Sequence, residues 1–543
     1  MKKLNNILLL ICLLFWASGT ILQAQPISKN EEIKQYDREF KEELKKKWTN
    51  IYLQNTGDRS TELGGRIIED HLVIGILPKN EEIKAYDRLF AEELRSGEWR
   101  EVNFSKTDSF DMEKPSFPDI IDDFSSEGFA SIKDGSGYKP KIRPEKLRIP
   151  TDFKQKYREC VGEVASTDNI KFYGYEFPIY YDHKVKNYPL NSPMDIGNFW
   201  EALSESEWGI FVKQIEEYAT ALGLEFNDWG YALLINKIGR NIYLHNNNAS
   251  TLFTCFMLNH SGLHSKMTYD NDLNLNLLLV TNDKILNTLY EYDEFNYYYY
   301  NFKTPSIKNI GRTTTPSVNF EPPNMSMKPI ASFVQRMPKL LDNANYYNHK
   351  TFSFYTKGNI ETVTGNVNLN RLKYYKDIPP TTLEVYFEAS CFIQYNDKLV
   401  HDLASLVAKR KTYDEKINLL LDFTSANNSF EYDADCQTLF PEETLANAKS
   451  DCEDRAILFA ALAERILNIK VLGIKYKEPK DHVIIAVPHK SQIPLNDLEY
   501  TEYSGTKYVL CDPTAEGAIY GKVAKGREYQ PYDRFDFPTR CSD

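Results

Sequence analysis

The sequence predicts an α+β protein made of several domains, and three observations support that class. The chain has 543 residues, more than one hydrophobic core usually serves, so about three or four domains are expected. Segments with apolar residues at helical spacing are interspersed with segments in which every second residue is apolar. Close to the C-terminus, a strongly apolar stretch of helical length is followed by two short apolar strands.

Residues 1–24 have the pattern of an export signal. Lys2 and Lys3 precede an apolar stretch over 7–16, and Ala24 supplies a small residue ahead of a cleavage point. Later in the sequence no stretch reaches the ~18 apolar residues that a membrane span requires. We therefore expect a secreted or periplasmic protein that has no integral membrane segment once 1–24 have been removed.

The composition restricts the partners that the protein can bind. The formal net charge is −12 and the sequence has no basic run, which argues against nucleic acid, because phosphate binding needs clustered Lys and Arg. After residue 24 the number of cysteines is odd, so at least one thiol is free or paired between molecules. We expect Cys452 to be the free thiol. The seven cysteines are Cys160, Cys255, Cys391, Cys436, Cys452, Cys511 and Cys541.

Two nearly identical segments lie within region 25–105. Residues 29–44 and 79–94 differ only at the pairs 35/85, 39/89 and 41/91, so 13 of 16 positions are identical. We expect two amphipathic helices that dock on the body of the protein, the second being the more buried because Leu89 and Ala91 replace charged residues. A partner-binding role for both segments stays open. The apolar residues at helical spacing are Ile33, Tyr36, Phe40 and Leu44, then Ile83, Tyr86, Phe90 and Leu94.

The chain beyond these segments divides by pattern into four regions. Residues 106–165 are rich in Pro, Ser, Gly and charge and predict an irregular linker. Region 166–305 predicts mixed α+β structure, and region 306–397 predicts an antiparallel β domain. Helices resume in region 398–543, which carries the chemistry.

Individual elements within these regions can also be predicted. Helices are expected over 198–222 and 248–259, followed by a strand over 266–269. Strands are expected over 351–355 and 383–388, because polar and apolar residues alternate in both.

Cys452 lies at the start of a predicted buried helix. Ser450 and Glu453 have the spacing of a capping box, which makes Ser450 the expected N-cap. The residues that follow leave almost no polar face, and Asn468 is the expected left-handed stop. A thiol in the first helical turn experiences the partial positive charge of the helix end, which favours the thiolate. Inert packing is the alternative, as for Cys255 in the middle of a predicted helix.

A histidine and an aspartate follow at equal steps of 30 residues. His482 begins the apolar strand 482–487, and Asp512 ends the strand 508–512. By strand alternation Asp512 can meet His482, whereas Cys511 points to the opposite face. A thiol, a base and an orienting carboxylate are the components of a cysteine acyl-transfer site. His489 is the rival base.

These residues resemble the transglutaminase-like superfamily of papain-type cysteine enzymes, in particular its large exported bacterial members. The resemblance covers about residues 400–525 and depends on SDCEDRAILFAALAERIL, DHVIIAVP and KYVLCDPT. It implies a catalytic domain over 398–543 in which Cys452, His482 and Asp512 are the triad, with no metal and no organic cofactor. The order Cys, His, Asp at short spacing differs from that of papain, whose histidine follows much later.

The resemblance extends in weaker form to a second region and has gaps in the first. The stretch from Asn227 to Gly262 resembles the same members, so region 166–305 is interpreted as a degenerate copy with Asn246 or Asn247 in the nucleophile's place. Ser450 stands where many members have Gly, and Ile484 where many have an aromatic residue. No tryptophan near Cys452 matches the oxyanion donor of true transglutaminases. These departures favour hydrolysis over cross-linking.

The sequence therefore predicts an exported thiol hydrolase, a peptidase or amidase acting on peptide or amide bonds through a thioester. Two other classes of function stay open, a protein cross-linking acyltransferase and a non-catalytic binding or scaffold protein that keeps the fold. A zinc site formed by the same three residues is disfavoured, because no CxxC or HxxxH pair accompanies them. The tyrosine run 297–300 is expected to serve packing, since consecutive strand residues face opposite sides.

Overall fold

The computed structural model describes the larger part of residues 81–536, all within one compact unit, 62–543. The export signal, the first copy of the duplicated segment and nearly all of the expected linker lie outside the described residues. The described ranges are 81–97, 99–101, 105–106, 145–146, 164–166, 169–182, 190–206, 208–222, 227–244, 246–270, 274–286, 288–292, 295–300, 313–316, 319–322, 325–334, 347–389, 397–426, 429–430, 438–476, 482–514, 517–523 and 532–536.

Helices and mostly antiparallel strands occur together, so the α+β class is confirmed. None of the described helices combines the length and the apolar character that a membrane span requires. The helices are α1 (Glu81–Ser96), α2 (Pro193–Glu205), α3 (Trp208–Leu222), α4 (Asp228–Ile242), α5 (Asn247–His260), α6 (Leu369–Lys376), α7 (Leu383–Glu388), α8 (Asp397–Ala408), α9 (Tyr413–Ala426), α10 (Pro441–Ala446) and α11 (Cys452–Leu467).

Most strands belong to two antiparallel sheets. The strands are β1 (Trp99–Glu101), β2 (Ser105–Lys106), β3 (Glu145–Lys146), β4 (Val164–Ser166), β5 (Ile170–Phe172), β6 (Tyr175–Phe177), β7 (Tyr180–Asp182), β8 (Ser265–Asp270), β9 (Leu275–Val280), β10 (Thr288–Tyr292), β11 (Phe295–Tyr300), β12 (Thr313–Pro316), β13 (Tyr347–Thr356), β14 (Asn359–Asn368), β15 (Ser429–Phe430), β16 (Lys449–Ser450), β17 (Leu472–Tyr476), β18 (His482–Pro488), β19 (Tyr500–Tyr503), β20 (Thr506–Cys511) and β21 (Tyr532–Asp536).

The two large sheets share an order of strands. The seven-stranded sheet has the order β1-β12-β8-β9-β11-β10-β2, and the five-stranded sheet has the order β21-β17-β18-β20-β19. In each, five strands that follow one another in the chain take the same places, and one helix precedes them and packs on the sheet. We call α5 with β8–β12 the N-terminal module and α11 with β17–β21 the C-terminal module.

Helix α1 confirms the helix predicted from the second copy of the duplicated segment. The apolar residues placed on one face by sequence, Ile83, Tyr86, Phe90 and Leu94, are all buried. They pack mainly against α2. Gly197 of α2 allows the close approach, because a Cβ there would lie 2.5 Å from the carbonyl oxygen of Ala91.

Region 306–397 differs from the antiparallel β domain expected from sequence. One hairpin, β13–β14, is formed, with Phe352 and Phe354 against Phe423 of α9. The predicted strand 383–388 is wrong: these residues form helix α7. A six-residue alternation is too short to distinguish the two periods, and three consecutive buried residues, 385–387, pack as a helix does. Strand β12 of the same region joins the seven-stranded sheet instead.

The helices of the N-terminal region are close to their predicted positions, with one break. Helix α5 and strand β8 confirm the elements expected over 248–259 and 266–269. The single helix expected over 198–222 is instead the pair α2 and α3. Ser206 is extended after α2, and its hydroxyl donates to the carbonyl of Leu203 at 2.6 Å. A side chain that caps the backbone in this way competes with helix continuation.

Candidate active site

Helix α11 begins one residue later than the sequence predicts. Asp451, not Ser450, is the extended residue that precedes the helix. The carboxylate of Asp454 accepts the N–H of Asp451 at 3.3 Å and that of Leu439 at 2.7 Å. Ser450 belongs to β16, which pairs with β15. Cys452 is therefore the first helical residue, where its N–H has no partner within the helix.

The helix that begins at Cys452 is buried along most of its length. The run 456–463 is buried throughout, as the absence of a polar face predicted. Asn468 ends the helix in the left-handed conformation with φ 50°, which confirms the predicted stop. α11 packs on β18, the strand that His482 begins. Helix α11 therefore places Cys452 against the sheet that contains His482.

His482 and Asp512 form a buried pair. Nε2 of His482 lies 3.1 Å from Oδ2 of Asp512, and the two residues are 3% and 1% exposed. The other oxygen, Oδ1, accepts from the N–H of Thr514 at 3.1 Å and from its hydroxyl at 2.5 Å. Burial works to raise the pKa of Asp512, but the hydrogen bonds and charge of His482 and the bonds from Thr514 hold that pKa below its usual value. Asp512 is therefore a fixed carboxylate.

The second ring nitrogen of His482, Nδ1, takes no part in the bond to Asp512. Nδ1 is buried and has no hydrogen-bond partner. Tyr476, itself 1% exposed, lies alongside the imidazole with the ring centroids 6.4 Å apart and an interplanar angle of 23°. With Nε2 oriented by Asp512, Nδ1 is the nitrogen able to accept a proton.

The sulfur of Cys452 lies at the start of β18. It accepts the backbone N–H of Val483, the residue after His482, and its thiol donates to Oε2 of Glu453 at 2.8 Å. Burial first, then the carboxylates of Glu453 and Asp451, raises the pKa of Cys452 well above the usual thiol value. The thiolate expected from the helix end is therefore wrong for this state, because desolvation and neighbouring carboxylates outweigh the helix dipole.

Arg455 is a member of the site that the sequence did not single out. Its buried guanidinium donates to the hydroxyl of Ser450 at 3.0 Å and to the carbonyl of Thr514 at 3.5 Å. It connects the approach to α11 with the loop after Asp512. The sequence signal was its place in the first turn of an otherwise apolar helix, where a charged residue must find partners.

The other candidate residues lie in different settings. His489, the rival base, is bonded through Nδ1 to the hydroxyl of Tyr520 at 3.1 Å. Cys255 and Cys511 are buried, and burial raises the pKa of each thiol to about 12. Together with Cys452 they are the free cysteines of the described ranges.

A metal would find a different set of ligands here from the one considered by sequence. Among the residues that the structure describes, one group of carboxylate, thiol or imidazole atoms is compact enough for an ion, that of Asp451, Cys452 and Glu453, within 4.8 Å of one another. These are three consecutive residues, and His482 and Asp512 are not in the group.

The N-terminal module carries different residues at the positions of the triad. α5 begins at Asn247, as α11 begins at Cys452. β9 begins at Leu275 opposite Tyr269, as β18 begins at His482 opposite Tyr476. Tyr300 pairs with residue 277, the third residue of β9. In the C-terminal module residue 511 pairs with residue 485, so Asp512 comes opposite residue 484, the third residue of β18. Asparagine and leucine at the places of Cys452 and His482 provide neither a thiol nor an imidazole base.

No family model, curated protein or solved structure matches this chain.

Proposed function

We propose that the protein is a transglutaminase-like cysteine hydrolase, a peptidase or amidase. The observation that carries this proposal is the buried His482–Asp512 pair, whose remaining nitrogen Nδ1 has no partner beside the strand start where the sulfur of Cys452 lies. An oriented base with one free nitrogen next to a thiol is the arrangement that nucleophilic catalysis requires.

The chemistry proceeds in two halves through a thioester. His482 takes the proton of the Cys452 thiol at Nδ1, and the sulfur attacks the carbonyl carbon of a peptide or amide bond. The oxyanion that forms is held by backbone N–H groups at the start of α11, including that of Cys452. The carbon–nitrogen bond then breaks, and the leaving amine receives the proton from His482.

The second half restores the free thiol. Water attacks the thioester and gives one proton to Nδ1 of His482; the carbon–sulfur bond breaks and the proton returns to the sulfur. Asp512 holds the imidazole throughout by its bond to Nε2. An amine in place of water would give cross-linking, the acyltransferase alternative. No resident cofactor takes part in these steps.

The export signal and the second module complete the proposal. Residues 1–24 direct the chain to the periplasm or outside the cell, where peptides and proteins are its substrates. The N-terminal module is a degenerate copy of the same fold, a proposal supported by the shared order of strands. It does not turn over substrate, because Asn247, Leu275 and Tyr300 take the places of the triad.

A non-catalytic scaffold is the second candidate, and one observation favours it. Cys452, His482 and Asp512 are at most 3% exposed, and burial raises the thiol pKa. In that case the three residues would serve packing alone. A substrate can reach these three residues only when the site opens, whereas a scaffold protein has no need to open it.

The test is the rate at which a neutral reagent alkylates Cys452 at neutral pH, resolved by mass spectrometry of the peptide that contains it. His482→Ala should slow this reaction by about tenfold or more, because a positioned base contributes 10²–10⁴-fold to proton transfer. His489→Ala is the matched control and should leave the rate unchanged. Equal rates in the wild type and in His482→Ala would favour the scaffold.

A further inference from the structure

The thiol of Cys452 is bonded to a group that the proposed reaction does not use. Sγ donates to Oε2 of Glu453 at 2.8 Å. Glu453 is half-buried, whereas Cys452 is buried. A substrate that approaches from solvent therefore meets the Glu453 carboxylate before it meets the sulfur. That carboxylate also accepts the hydrogen bond of the thiol proton, the proton that His482 must receive.

Among the residues that the structure describes, two carboxylates approach the sulfur and one guanidinium is close enough to offset them. The side-chain oxygens of Asp451 and Glu453 lie within 4.8 Å of the sulfur. The buried guanidinium of Arg455 interacts with Asp451, Asp454 and Asp512. Glu453 is not among these partners, and it is the member of the group that solvent reaches.

A second acceptor for the same proton belongs to His482, the residue before the one that bonds the sulfur. Nδ1 of His482 is buried and unpartnered, and the next residue, Val483, gives its N–H to the sulfur. In the free protein the thiol proton is directed to Glu453, although an imidazole nitrogen is available. Whatever neutralises Glu453 therefore favours transfer of the proton to His482.

We infer that Glu453 selects substrates that carry a positive charge within a few bonds of the scissile carbonyl, and that it keeps the thiol protonated until such a charge arrives. The inference rests on the proposed function. An ammonium or guanidinium group that pairs with Glu453 withdraws the acceptor from the thiol, and the proton moves from Sγ to Nδ1 of His482. The substrate class is therefore peptides or amides with a free amino group or a basic side chain next to the cleaved bond.

The test compares thiol reagents that share one reacting group and differ in charge. Aminoethyl and sulfonatoethyl methanethiosulfonate should modify wild-type Cys452 with a cation-to-anion rate ratio about tenfold or more above that of free cysteine, because a single carboxylate at this distance attracts one and repels the other. The peptide with Cys452 is quantified, so other thiols do not interfere. In Glu453→Gln the ratio should fall most of the way to that of free cysteine, because the remaining carboxylate, Asp451, interacts with Arg455.

A neutral reagent of the same class gives the pH dependence. Burial first, and then the Glu453 carboxylate bonded to the thiol, raises the pKa of Cys452. Glu453→Gln removes the second of these causes and should move the rate–pH curve to lower pH. Glu502→Gln, an exposed carboxylate on β19, is the matched control and should behave as the wild type in both measurements.

The outcomes separate this inference from the proposed function. A wild-type ratio equal to that of free cysteine overturns the inference without the use of any variant, and so does an unchanged ratio in Glu453→Gln. If His482→Ala slows neutral alkylation while the ratio is that of free cysteine, the dyad holds and only the charge selection fails. If His482→Ala has no effect, the proposed function fails whatever the ratio.

Discussion

Two buried histidine–aspartate pairs in this molecule share one geometry and differ in their surroundings. His482 and Asp512 are joined from Nε2 to Oδ2 over 3.1 Å, and His260 and Asp87 are joined by the same atoms over 3.1 Å. Nδ1 of His260 is bonded to the carbonyl of Phe256 at 2.8 Å, whereas Nδ1 of His482 has no partner. A carboxylate partner alone therefore does not distinguish a catalytic histidine from a structural one; the role proposed for His482 depends on its unpartnered second nitrogen.

The His260–Asp87 pair has the features of a structural joint. The carboxylate of Asp87 also accepts from Nε1 of Trp200 at 2.9 Å and from the hydroxyl of Ser204 at 2.7 Å. The imidazole is stacked on Phe256 with ring centroids 3.8 Å apart. The cluster thus connects α1, α2 and α5, and every polar atom in it has a partner. Such a network stabilises docking and offers no group for a reaction.

The largest effect is expected from a variant that disrupts the His482–Asp512 pair. Asp512→Asn should lower the rate of substrate hydrolysis by on the order of 10⁴-fold, because the amide no longer holds the imidazole in the tautomer with Nδ1 free. The volume is unchanged and Thr514 keeps an acceptor, so stability should change little. Peptide cleavage is followed by mass spectrometry of new termini, and unfolding by circular dichroism in urea. A stable variant that retains full activity would remove Asp512 from the mechanism.

The next largest effect is expected from a variant that disrupts the His260–Asp87 pair. Asp87→Ala should lower the free energy of unfolding by about 3–5 kcal/mol, because it leaves His260, Trp200 and Ser204 buried without their acceptor. Urea unfolding followed by tryptophan fluorescence measures this, since Trp200 lies in the cluster. Asp402→Asn is the control: Asp402 is half-buried, pairs with Lys398 four residues away and accepts two bonds from Thr364. The amide oxygen can still accept from Thr364, so the loss should be that of the ion pair, about 0.3–0.5 kcal/mol.

If the two pairs have separate roles, loss of the His260–Asp87 pair should not change the reactivity of Cys452. In Asp87→Ala the alkylation rate of Cys452 should stay at the wild-type value under conditions in which the variant is folded. A large loss of Cys452 reactivity in Asp87→Ala would show that the N-terminal joint also supports the site, and the division of roles between the two pairs would be wrong.

Local patterns in the sequence were sufficient for the parts of the fold that local interactions decide. α5, α11 and the left-handed Asn468 were predicted because long periodic stretches and helix stops depend on nearby residues. The placement of His482 and Asp512 on facing positions followed from strand alternation alone. The structure confirms that these two residues meet.

Other features depended on contacts between distant segments. Ser450 with Glu453 and Asp451 with Asp454 both fit the spacing of a capping box, and pairing of β16 with β15 decided against Ser450. The thiolate expectation considered the helix end and omitted burial, which the sequence does not give. The bond from Cys452 to Glu453 was likewise out of reach, since neighbouring helical side chains do not normally face each other.

The smallest effect concerns how the two module helices end. α11 ends at Asn468 with φ 50°, whereas α5 ends before Gly262 with φ 77°. Asn468→Gly should raise the free energy of unfolding by a few tenths of a kcal/mol, and Asn468→Ala should lower it by about 1 kcal/mol, because a Cβ is disfavoured in the left-handed region.

The control for these helix ends is Asn241→Gly within α4, where the backbone is helical. It should be destabilising by about 0.5–1 kcal/mol, since glycine costs chain entropy there and the bond from Nδ2 of Asn241 to the carbonyl of Lys237 is lost. Urea midpoints of the three variants decide the matter. If Asn468→Gly and Asn241→Gly shift the midpoint in the same direction, the left-handed stop is not what limits the end of α11, and the two modules do not differ in how their helices are terminated.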